Sequence, residues 1–96
     1  MSEQNNGFLK RADAHIVLAN EQMKEGLKAG DVSASFMYGA ARFNSWMAAT
    51  SFETKEDMRR EKKNAVEYFM KEYKLALEEH FDNHIDNYDF TQNKLD

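Results

Sequence analysis

With 96 residues, 42% apolar, 12% aromatic and 31% charged, the chain is long enough for one modest core and too apolar for a disordered segment. Its net charge of -4 argues against a general nucleic-acid binder, since phosphate affinity depends on clustered Lys and Arg. The absence of cysteine removes disulfides, thiolate metal sites and cysteine nucleophiles. The absence of proline, with only four glycines and no strand-like alternation, points to an all-α fold.

In chain order, Met1 to Asn6 is a polar tail with nothing to bury, and disorder is expected for residues 1–6 and again for 92–96. The start MSEQNNGF lacks a basic region followed by an apolar run, so the expected location is cytoplasmic. The whole chain, 1–96, reads as one helical domain. From Phe8 the positions Leu9, Ala12, Ile16, Ala19, Met23 and Leu27 follow helical spacing and define a first helix. Gly26 either stops it in a left-handed cap or lets it run on to Gly30. Asp31 or Ser33 is then the expected N-cap of a second helix, joined to the first by a short turn that makes the two antiparallel.

That second helix, about 33–50, is the stretch expected to be most buried, because Val32 to Phe52 carries Arg42 as its one charged residue. Phe36, Gly39/Ala40, Phe43 and Met47 form one apolar face; Met37, Ala41 and Ala48, with Asn44 among them, form another, the pattern of a central helix. A membrane span is rejected. The central Arg42 is costly in a bilayer, and five hydroxyl residues, Ser33, Ser35, Ser45, Thr50 and Ser51, dilute the apolar run. Thr54 is a good N-cap for a third helix, about 55–88, supported by Glu56 and Asp57 in its first turn. Unbroken, that helix is roughly 50 Å long at 1.5 Å per residue, so it either breaks at Asp82-Asn83 or overhangs and needs a partner. The expected architecture is a three-helix bundle with a buried central helix.

The runs ADAHIVLANEQ, Ala12 to Gln22, and VSASFMYGAARFNSWMAA, Val32 to Ala49, resemble a family of small uncharacterised proteobacterial proteins, a domain of unknown function. The resemblance implies a bacterial, cytoplasmic source and brings no activity, cofactor or catalytic residue.

Candidate chemistry is sparse. His80 and His84, four apart in an acidic run, have the spacing of two zinc or nickel ligands, with His15 as a conceivable third; the competing reading is a solvated flank beside Phe81 and Ile85. Arg42, with Tyr38 and Trp46 one turn to either side, is a candidate anion or small-ligand site, against a stacked and ion-paired structural arginine. The serines lack a base or oxyanion site, so no catalytic residue is assigned, and no cofactor is expected. Arg59, Arg60, Lys62 and Lys63, interrupted by Glu61, read as a solvated helix face. The leading expectation is a non-enzymatic interaction or adaptor protein, a homodimer whose third helices pack antiparallel. Its seam would contain Phe69, Tyr73, Leu77, Phe81, Ile85 and Tyr88, with Arg59 to Lys63 facing the other copy's Glu78 to Asp86.

Overall fold

The computed structural model describes residues 2–95, with the side chains of 7–93. Its elements are α1 (Ser2–Lys24), α2 (Ala29–Ala49), α3 (Lys55–Asn87) and a short 3-10 helix, η1 (Phe90–Leu95), so the fold is all-α with a long third helix, and no strand occurs among the described residues. The chain divides into two compact units, Met1–Thr50 and Ser51–Asp96.

In the first unit α1 and α2 form a hairpin. Helix α1 begins at Ser2 rather than Phe8, running through Gly7. Once a helix is nucleated each further residue adds a hydrogen bond, which offsets the roughly 1 kcal/mol that a helical glycine costs. The expected disorder at the two ends falls at Met1 and Asp96 outside the described residues, as do the side chains of 2–6, 94 and 95; Gln92 and Asn93 belong to η1. Of the two ends foreseen for α1, the chain takes the glycine cap. Gly26 has φ +95°, and its N–H donates to the Met23 carbonyl at 3.0 Å.

Helix α2 starts three residues earlier than a cap at Asp31 and five earlier than a cap at Ser33 would place it. Lys28 holds the N-cap position in extended conformation with no side-chain capping bond. Asp31 therefore lies in the first turn, where its charge favours the positive helix end, and Ser33 lies inside the helix. The hydroxyls along α2 bond back to their own helix. Ser35 donates to the Val32 carbonyl at 3.0 Å, Ser45 to Arg42 at 2.9 Å and Thr50 to Met47 at 2.6 Å.

Burial departs most from the sequence pattern. Val32, at 4% exposure, is the one buried hydrophobic residue among those described, whereas Phe43 and Trp46 are exposed by 61% and 62%. Val32, Phe36, Ala40, Asn44 and Ala48 form a single row at four-residue steps. Phe36 meets the His15 ring of α1 edge-on at 6.5 Å, and Asn44 and Ala48 are half-buried. A hairpin partner covers one such row only. Phe43 and Met47, each within about 20° of Phe36 in direction, nevertheless stay exposed, so the expected burial of the whole helix is not reached.

In the second unit Thr54 caps α3 as anticipated, its hydroxyl oxygen accepting from the Asp57 N–H at 3.0 Å. The helix is continuous for 33 residues and does not break at Asp82-Asn83. Asn83 is retained because Asn87, one turn on, donates to both its side-chain oxygen at 2.7 Å and its carbonyl at 3.0 Å. Beyond Asn87, Tyr88 is extended, and Asp89 accepts from both the N–H and the hydroxyl of Thr91, fixing the start of η1. Those two hydrogen bonds, the hydroxyl's first, hold the Asp89 carboxyl below the usual carboxylate range.

Two substitutions report on these termini. Gly26→Ala meets no neighbouring atom but must adopt a left-handed backbone, so chemical denaturation should show a loss of about 1–2 kcal/mol. Thr54→Ala should lower stability by about 1 kcal/mol, while Thr54→Ser retains the capping oxygen and most of the stability.

Candidate functional site

The most extensive feature of the second unit is a row of apolar side chains on α3: Phe69, Tyr73, Leu77, Phe81 and Ile85, each four residues from the next. Residues four apart on a helix differ by about 40° in direction, so this row forms a ridge inclined roughly 26° to the axis rather than a straight stripe. Helix α3 contains no buried residue. Phe69 is half-buried, while Tyr73, Leu77, Phe81 and Ile85 are exposed by 55%, 41%, 61% and 64%. Tyr88 stands just off the ridge, packed edge-on between the His84 ring at 6.4 Å and the Phe90 ring at 5.0 Å. The repeat of four was legible in the sequence; its inclination follows only once the helix is known to be continuous.

The charges of α3 are not arranged as the dimer expectation required. At 100° per residue Arg59, Lys62 and Lys63 lie within about 60° of the direction of Leu77, but Glu79, Asp82 and Asp86 lie about 140–180° away. Basic residues share the ridge face and these acids occupy its back. A facing copy would therefore bring Arg59 to Lys63 toward aromatic side chains and not toward this acidic group. Arg60 is engaged locally, 3.0 Å from Asp57, in an exposed pair.

His80 and His84 lie one turn apart as foreseen, yet no group of three His, Asp or Glu side chains among the described residues is placed to hold a metal. The back-face acids point away from them, the His84 ring packs on Tyr88, and His15 faces Phe36 within the other unit. The metal reading is withdrawn on that geometry.

Arg42 lines a shallow, solvent-open hollow on α2 with Gly39, Phe43 and Trp46; Tyr38 is not part of its wall and is largely exposed. The Trp46 ring is paired with Phe43, centroids 5.9 Å apart, and no acidic partner of Arg42 occurs among the described residues. Neither the stacked ion pair nor an enclosed anion site is formed. Arg42→Gln should accordingly change the unfolding free energy by less than about 0.5 kcal/mol, and a larger loss in a denaturant titration would reveal a partner for the guanidinium.

No helix among the described residues is long and apolar enough to cross a membrane. No curated protein matches the chain. Among solved structures, the NMR structure of the protein NB7890A from Shewanella sp. is similar over 93% of this chain and 94% of its own length, with 40% identity and a TM-score of 0.76. The match of residues 8–85, taking in both sequence runs singled out above, shows that the chain belongs to the family described as "Protein of unknown function (DUF3144)".

Proposed function

We propose that this protein is a non-enzymatic protein-interaction module, an adaptor that works as a homo-oligomer through the third helix. The observation that carries the reading is the exposed α3 ridge, four large apolar side chains one turn apart on a helix with no fully buried residue. Monomeric proteins rarely leave a contiguous apolar patch of more than a few hundred Å2 open to water, and such patches mark interaction sites. Phe69, Tyr73, Leu77, Phe81, Ile85 and Tyr88 form the proposed seam, the two helices running antiparallel. The cytoplasm of a bacterium is the setting we propose with it. The family, described only as of unknown function, neither adds nor removes an activity.

The test is solution mass by light scattering across a range of chain concentrations, with the mass rising from 11.2 kDa toward about twice that value. Phe81→Asp should return it to the single-chain mass at every concentration. At about 25 cal/mol per Å2, the roughly 100 Å2 that a half-exposed phenyl contributes is worth about 2.5 kcal/mol per copy. Because Phe81 is exposed, circular dichroism of the variant should retain its helicity. A variant that stays dimeric with unchanged stability would remove this seam.

A further inference from the structure

We infer that pairing of two copies through α3 is pH-sensitive, with His84 and His80 as the groups that release the pair on acidification; this rests on the self-association proposed above and names its regulation. Besides the ridge, α3 exposes Val66 and Met70, which continue through Tyr73 to Leu77 at three- and four-residue steps. Carried past Leu77, the same steps fall on His80 and His84 before they reach Tyr88. At 100° per residue His84 lies about 20° and His80 about 60° from the direction of Leu77. Both imidazoles therefore stand on the face through which the copies would meet, and the His84 ring already packs edge-on against Tyr88, centroids 6.4 Å apart.

What surrounds the two histidines fixes the sign. One turn away they have each other and Ala76, Leu77, Phe81, Asn83, Asn87 and Tyr88, with no carboxylate among them. Going round the helix from Leu77 through about 120° on their side, α3 carries the cations Lys55, Arg59 and Lys62 and no acid. Glu56, Glu67 and Glu78 lie on the opposite flank with Lys63 and Lys74, and the remaining acids of α3 lie behind. Of the groups that follow the helix, the Tyr88 hydroxyl donates to the Asn93 side-chain oxygen at 3.4 Å, and the Asp89 carboxyl accepts from Thr91. A two-fold axis that sets two α3 helices antiparallel lies across them in the plane of contact, so each flank meets the same flank of the other copy whatever the register. The histidines then face apolar and aromatic side chains, Lys55, Arg59, Lys62 or one another, and that flank supplies no acid. Neutral imidazoles fit such a contact. An imidazolium there would lose its water and meet cations, with no anion to offset either. The paired state consequently binds fewer protons than two separate chains, and by linkage its affinity falls as the pH falls. Histidine is the side chain that ordinarily changes charge between about pH 5 and 8, which places the transition in that window.

The test is light scattering of the full chain over a concentration series at about pH 7.5 and about pH 5.5, either side of the ordinary histidine titration. The dissociation constant of the pair should rise about tenfold or more at the lower pH. A chain carrying both His80→Gln and His84→Gln should pair at both values and lose that rise. His15→Gln should keep it, because His15 faces Phe36 in the other unit. A constant that stays level or falls on acidification, a rise that survives in the double variant, or a double variant that no longer pairs would overturn the switch and leave the dimer. A single-chain mass at every concentration at the higher pH would overturn the self-association, and the switch with it. Circular dichroism at both values separates release from unfolding; a mass that falls together with helicity would also overturn the switch.

Discussion

The packing of α1 along one four-residue row of α2 is the contact on which the first unit depends, and its narrowness shapes what remains. A helix that meets a single partner can hide a stripe of its surface and no more. Here the row is covered in part: Val32 is buried and Asn44 and Ala48 are half-buried, while Phe36, touched by His15, and Ala40 stay exposed. Burying one valine contributes about 1.5–3 kcal/mol. Most of the ordering in this unit is consequently local: the Gly26 cap, the hydroxyls folded back on preceding carbonyls and the helical hydrogen bonds themselves. Phe43, Trp46 and Met47 are left at the surface by the same geometry, with Arg42 beside them at the rim of an open hollow.

Much of this was legible before any coordinates. Helical spacing from Phe8 onward, the glycine at position 26 and the Thr54 cap each encode a local event that a few residues decide among themselves, and each lies where the spacing placed it. The candidate site was legible in the same way, since a repeat of four is visible in the letters. Its residues differ in standing: Tyr73, Leu77, Phe81 and Ile85 share the open ridge, Phe69 is half-buried and Tyr88 is occupied by neighbouring rings.

What the letters did not contain is which apolar face finds a partner. Composition makes Val32 to Phe52 the greasiest part of the chain, yet burial depends on the rotation of α2 about its own axis relative to α1, which periodicity alone leaves open when two faces are apolar. The expected caps at Asp31 and Ser33 were misplaced for a related reason. A capping residue competes with every alternative start, and Lys28 in extended conformation suffices here because the backbone turn after Gly26 already orients the first turn. The continuity of α3 through Asp82-Asn83 rested on Asn87, whose amide binds two oxygens of Asn83 one turn earlier; two residues that individually favour turns reinforce the helix as a pair.

The distribution of charge on α3 bears on why association through the ridge would stop at two copies. Opposite Leu77 the helix carries Tyr68, Glu72, Leu75, Glu79, Asp82 and Asp86, so its two apolar residues there are separated and followed by carboxylates. A third copy docking on that back face would have to desolvate several like charges, whereas the ridge face offers aromatic surface. An isologous contact uses the same patch on both partners and is thereby exhausted. If two copies pair through the exposed ridge as proposed, the contact closes on itself, and the acids outside the seam disfavour further copies from the other side of the helix.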